Sequence, residues 1–176
     1  LHRTSRRQRQ MCIRDRNDGP AADQNGEHDD WIELYNTTNS DIPLNWHYLT
    51  DDSLNIIKWA FSDTVIKAKS YLIIWADKDD SQEGLHANFK LSSAGESVYL
   101  VNNNLEIVDY THYTKQSSDM TYARVPNGTG SFSQQEPTFA SNNEGSLSTK
   151  TTEISNLFNI YPNPTKDFIN IAGDLG

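Results

Sequence analysis

The sequence predicts an all-β fold of two antiparallel sheets packed face to face. Short runs such as WIELYN and MTYARV alternate apolar and polar side chains with a period of two, the mark of a strand with one covered face. Clusters rich in Asn, Asp, Gly and Pro recur between those runs at roughly 8–12-residue intervals, which sets the strand length of a sandwich. No window places apolar residues at helical spacing between caps. The three observations together give an antiparallel β-sandwich of immunoglobulin-like type.

Each element follows in order. Residues 17–30, NDGPAADQNGEHDD, are rich in glycine, proline and acid and read as loop. In WIELYN (31–36), Ile32 and Leu34 face one way and Trp31, Glu33 and Tyr35 the other. After TTNSD, IPLNWHYLT (42–50) reads as a second strand, with Pro43 near its start, where an edge tolerates a missing amide donor. IIKWAF (56–61) follows, then the loop SDTVIKAKS. YLIIWA (71–76) is the most continuously apolar run and predicts a strand covered on both faces. Beyond DKDDSQEG and LHANFKLSSAGE, the strands ESVYLVN (96–102) and LEIVDYTHY (105–113) flank Asn102, Asn103 and Asn104, which tolerate the left-handed backbone of a hairpin. MTYARV (120–125) ends in the turn signal PNGTG.

The 176 residues carry a formal charge of −9, unevenly spread. Residues 1–16, LHRTSRRQRQMCIRDR, hold six of the fifteen Lys and Arg and one acid; beyond them nine cations face 23 acids, a formal −14. An acidic body of this kind repels nucleic acid and anionic membranes. No run reaches the ~18 apolar residues of a membrane helix. The lone cysteine, Cys12, sits in the basic head, so the body has neither a disulfide nor a thiol nucleophile. The head lacks a secretory pattern, and QRQMCIRDR resembles the translation of a sequencing-adapter read-through. Residues 1–16 are therefore expected to be an assembly artefact with no part in the fold.

Several blocks in order, DQNGEHDDWIELYN, IPLNWHYLTDD, KWAF, YLIIWADKDD, LHANFKLSSAGESVYLVN and YARVPNGTG, resemble bacterial lamin-tail domains across residues 17–143. The resemblance implies an immunoglobulin-like sandwich without a catalytic centre, carried in secreted or surface proteins. Such domains open with a strand just before DQNGE. With the head set aside that strand is expected to be missing, leaving an edge that residues 12–16 would cover imperfectly. A polar linker, 144–153, leads to ISNLFNIYPNPTKDFINI, which resembles the start of the C-terminal sorting domain of type IX secretion, with Tyr161, Pro162, Asn163 and Pro164 as its signature. Residues 154–176 are expected to be the truncated start of that domain.

No HExxH, GxSxG, P-loop or GxGxxG motif is present, so an enzyme is not expected; a cleft converging His86 with acidic side chains would overturn that. Asp77, Asp79, Asp80 and Glu83 read as a solvated acidic loop. Asp23, Asn25, Glu27, Asp29 and Asp30 place oxygen donors around Gly26, a candidate Ca²⁺ site, though the glycine falls at the wrong position for an EF-hand loop. No other cofactor is implied. Trp31 and Tyr35 are the pair expected to lie outward together as a platform for a sugar face, against the plainer reading that the tryptophans pack in the core. The resulting expectation is a non-catalytic interaction or adhesion module, secreted or on the outer surface of a Gram-negative bacterium. Its partners would be a protein or surface glycan and the type IX machinery, not nucleic acid or a membrane. The alternatives are an accessory domain of a secreted hydrolase such as a nuclease, or a Ca²⁺- or glycan-binding module.

Overall fold

The computed structural model describes residues 9–14, 21–79, 81–116, 120–144, 159–162 and 169–172. Every regular element among them is a strand, which bears out the all-β expectation. Two sheets sandwich the core. One has five strands in the order β11 (Ser131–Gln135), β10 (Thr121–Val125), β1 (Arg9–Arg14), β2 (Trp31–Asn36), β7 (Tyr71–Trp75). The other has four, β5 (Trp59–Ala60), β4 (Tyr48–Thr50), β8 (Gly95–Val101) and β9 (Ile107–Thr114), and a small pair joins β3 (Ile42–Pro43) to β6 (Val65–Ile66). All of these ladders run antiparallel.

One expectation is corrected at the centre of the larger sheet. The opening strand is not missing: Arg9–Arg14 fills its slot, pairing in register with β2 from Arg9↔Asn36 to Arg14↔Trp31 and with β10 at Ile13↔Tyr122. The cause is the period of two in QMCIR, which sends Met11 and Ile13 inward to full burial. Each such side chain contributes roughly 1.5–3 kcal/mol of transfer free energy. Thr121 Oγ1 donates to the Ile13 carbonyl at 2.9 Å, fastening the strand on its β10 side.

The inter-sheet core gathers Met11, Ile13, Ile32, Leu34, Leu49, Ile74, Val98 and Leu100, all at 1% exposure or less. Ile32 and Leu34 thus face inward as their alternation predicts. The opposite face of β2 is covered as well, so Trp31 is fully buried with Trp75 and Ala123. The ring of Phe139 stands edge-on to Trp31 at 5.4 Å and lies 5.9 Å from Trp75. A segment beyond β11 closes this outer face: Ala140 N donates to Glu33 Oε2 at 2.7 Å, and Asn143 Nδ2 to the Arg124 carbonyl at 3.1 Å.

The single strand expected over 42–50 is two, β3 and β4, because Trp46 adopts φ 61° and turns the chain between them. YLIIWA is an edge strand, and its first three residues are half-buried, not covered on both faces. The Asn102–Asn104 hairpin forms as expected. Asn102 Oδ1 accepts from the amides of Asn104 and Glu106, while the left-handed residue is Leu105 at φ 62°. Residues 146–176 make a separate unit, in which Asn159–Pro162 pairs antiparallel with Ile169–Ala172. Tyr161 and Pro162 lie on the first of those strands; Asn163, Pro164 and the linker from 145 onward lie outside the described residues.

Candidate functional site

Two surface features draw functional side chains together, and each is set by the turns that feed its strands. The first is the loop ahead of β2. Asp23 anchors it: its Oδ1 accepts the amides of Asn25 and Glu27 at 2.8 Å each, and its own amide donates to the Glu27 carbonyl at 2.9 Å. Gly26 takes φ 83°, a left-handed turn that favours glycine. The closed turn brings one carboxylate oxygen from each of Asp23, Glu27 and Asp29 within 4.8 Å of one another. Asp30 is not in that group, and the Asn25 side-chain amide donates to Gln82 Oε1.

Of the acids expected in a solvated loop after β7, Glu83 is exposed, Asp77 is buried and Asp80 lies outside the described residues; the loop also supplies the facing wall. Asp77, Asp79 and Lys90 line the same depression as Gly26, Glu27, His28 and Asp29. Gln82 Nε2 donates to Glu27 Oε2 at 2.6 Å and to Asp79 Oδ2 at 3.1 Å, bridging the two loops. Burial, then the neighbouring carboxylates of Asp77 and Glu27, push the Asp29 carboxyl above its ordinary range, with Lys90 opposing them. Only the spacing of Asp77 two residues after the buried Trp75, on the same side of an extended chain, could have marked it as inward-facing.

Asp77 also meets His86, with Oδ2 and Nδ1 2.5 Å apart. His86 therefore does converge with an acid, but in the interior: both side chains are 3% exposed or less. The Nε2 edge is taken by Gln24 Nε2 at 2.9 Å and the Glu83 carbonyl at 3.2 Å. A general base needs a nucleophile or a substrate proton within reach, and among the described residues neither hydroxyl nor thiol contacts this ring. The pair is a clamp. It holds the 77–90 segment to β7 beside the bridges Trp75↔His86 and Asp77↔Lys90.

The second feature is an open aromatic groove between β8–β9 and β10–β11. Trp46, thrown outward by its left-handed backbone, is 71% exposed, and Tyr110 on the edge strand β9 is 60% exposed. Tyr99 stacks on Tyr110 at 6.0 Å, Tyr122 on Phe132 at 5.5 Å, and the Arg124 guanidinium lies 4.2 Å over the Phe132 ring. Arg124 is in turn paired with Asp109 at 2.6 Å. The predicted aromatic platform is thereby corrected. Trp31 is 0% exposed and cannot face a sugar, and Tyr35 is half-buried against Tyr71 at 4.6 Å. The reason is the 136–144 segment over the outer sheet face, which period-two alternation in β2 does not reveal.

A family model described as Lamin Tail Domain matches residues 5–115. The match begins inside the basic head and takes in β1, in agreement with that strand's place in the sheet. Comparison with curated proteins returns no match. No helix among the described residues is long and apolar enough to cross a membrane. A fold of this kind is typically non-catalytic, and the paired sheets here are consistent with its immunoglobulin-like sandwich. With more than half its length matched and its strands in a two-sheet sandwich, the chain belongs to the lamin tail domain family.

Proposed function

We propose that this chain is a non-catalytic adhesion module of an exported bacterial protein and that it docks its partner, a protein or a surface glycan, along the aromatic groove. One observation carries the reading: Trp46, Tyr110 and Ile107 stand 71%, 60% and 50% exposed beside Tyr99, Tyr122 and Phe132. Burial of aromatic rings supplies much of the energy of a protein interface, and a ring with a polar handle suits a wet one. Hydrogen-bonding groups of Asn45, Asn102, His112 and Arg124 rim the same surface, the mixture that orients a partner on an apolar floor. Export by the type IX route to the outer surface of a Gram-negative cell is supported by the YPNP motif after a Ser- and Thr-rich spacer.

Binding of the fluorescently labelled chain to intact Gram-negative cells tests the proposal, read alongside a glycan array that separates sugar from protein partners. Saturable binding is expected, weakened roughly ten-fold or more by Trp46→Ala with Tyr110→Ala, as for paired anchor residues. Unsaturable binding, or binding that the double substitution leaves intact, would refute it.

A further inference from the structure

We propose that the carboxylates of Asp23, Glu27 and Asp29 bind one Ca²⁺ ion, which ties the loop ahead of β2 to the loop after β7. The ion site shares no lining residue with the aromatic groove, so the two proposals stand or fall separately.

The cluster of acids alone would mean little, since exposed acids gather on many surfaces. Asp23 is what distinguishes it. This residue is only 9% exposed. Its Oδ1 is occupied by two backbone amides, while its Oδ2 is buried with no hydrogen-bond partner among the described residues. A buried carboxylate oxygen without a donor costs free energy that folding seldom tolerates, and a cation is the group that relieves it. The two other carboxylates stand where such an ion would need them. Ca–O distances are about 2.3–2.6 Å, so oxygens up to about 5 Å apart can share one ion, and here all three lie within 4.8 Å.

Electrostatics point the same way. Asp77 and Asp79 add negative charge to the wall facing Glu27 and Asp29, and Lys90 is the one Lys or Arg among the described residues lining the depression.

The chemistry of the donors selects the metal. All three are hard oxygens, which favour Ca²⁺ or Mg²⁺ over softer metals. No imidazole among the described residues joins the three carboxylates; His28 Nδ1 meets the Ala21 carbonyl and His86 meets Asp77. Carboxylates carried on a turn suit the adaptable shell of Ca²⁺, with water completing it, better than the strict octahedron of Mg²⁺. Because Gln82 already bridges Glu27 to Asp79, an ion held by Glu27 restrains both loops together.

The test is calorimetric titration of the full 176-residue chain, stripped with EGTA, against CaCl₂ and separately MgCl₂, paired with thermal unfolding in each salt. One Ca²⁺ per chain is expected, with a dissociation constant no weaker than about 1 mM, the range of extracellular modules. A Tm that rises with Ca²⁺ and weaker Mg²⁺ binding are expected alongside. Asp23→Asn and Asp29→Asn should each weaken Ca²⁺ binding by roughly ten-fold or more, while Asp41→Asn, a remote surface acid, should leave it unchanged. Asp29 is partly exposed, so its variant keeps the test valid if Asp23→Asn fails to fold. No heat and no Tm shift up to about 10 mM Ca²⁺ would overturn the proposal. Equal losses in all three variants would overturn it too, by showing diffuse attraction to an acidic surface. Mg²⁺ binding as tight as Ca²⁺ would overturn the assignment of the metal.

Discussion

Glu33→Gln should stabilise the protein, and by an amount that grows with pH. Glu33 sits on β2 between Cys12 of β1 and Ile73 of β7, on the outer face that the 136–144 segment covers. It is 2% exposed, and its carboxylate accepts from the Ala140 amide at 2.7 Å. Among the described residues no Lys, Arg or His forms an ion pair with it. Burial lifts its carboxyl from 4.5 to about 8, and the amide offsets only part of that. Folded Glu33 therefore holds its proton through a range in which the unfolded chain has released it. Its favourable contribution is complete below pH 4.5 and is lost as pH rises to about 8. Each ten-fold change in proton affinity is worth about 1.4 kcal/mol. The loss therefore reaches about 3 kcal/mol at pH 7 and about 5 kcal/mol above pH 8. Glutamine keeps the acceptor for Ala140 and carries no charge at any pH.

Urea unfolding of both proteins at pH 4.5, 7 and about 9 isolates this one group, because every other titration cancels in the difference. The variant should match the parent at the lowest pH, where both side chains are neutral, and exceed it by about 3 kcal/mol at pH 7. A difference that stays flat across the three pH values would refute the reasoning. It would mean that Glu33 is ionised in the folded protein and finds solvent or a cation there.

Deleting residues 1–16 should abolish cooperative thermal unfolding, since it removes the strand between β2 and β10 together with Met11 and Ile13; each of those side chains alone is worth roughly 2–5 kcal/mol on truncation. An unchanged Tm would show that the sheet closes without Arg9–Arg14. Arg124→Ala should cost about 3–5 kcal/mol in urea unfolding at pH 7, because it strands Asp109, whose side chain is 9% exposed, in the interior. Burial already raises the Asp109 carboxyl despite Arg124, so the cost should shrink as pH falls and the acid is neutralised. Gly95→Ala should cost upwards of about 2 kcal/mol by the same measurement, because a Cβ there would lie 2.5 Å from the Tyr113 carbonyl on a backbone at φ 100°.

Those predictions separate what periodicity could show from what it could not. Alternation within a run reports which side chains face the same way, so Ile32 with Leu34 and the β8–β9 hairpin were legible in WIELYN and in the Asn-rich turn. Whether a face is covered depends on chain far away in sequence. Trp31 and Tyr35 point away from the core as the alternation says, yet Phe139 and Ala140 arrive from more than a hundred residues later to bury that side. The candidate cation site divides in the same way. Asp23, Glu27 and Asp29 belong to one turn and were found together, whereas Asp77 and Gln82 reach it only through β2–β7 pairing. That Trp46, of the four tryptophans, is the one that stands outward was not legible, because a left-handed backbone at a bulky residue carries no compositional signal.

In the basic head, provenance and structural role are independent properties. Six arginines and an adapter-like string speak to where a stretch of sequence comes from. The order of its side chains speaks to what that stretch does in the fold. Gln10, Cys12 and Arg14 alternate with Met11 and Ile13, the same period that identified Trp31–Asn36. A gap in the middle of a sheet leaves two rows of amides and carbonyls unpaired and a groove in the core beneath them. Any chain with two inward apolar residues at the right spacing relieves both deficits, whatever the charge of the residues between them. Origin and structural role therefore need separate tests. The deletion of residues 1–16 measures the second without deciding the first.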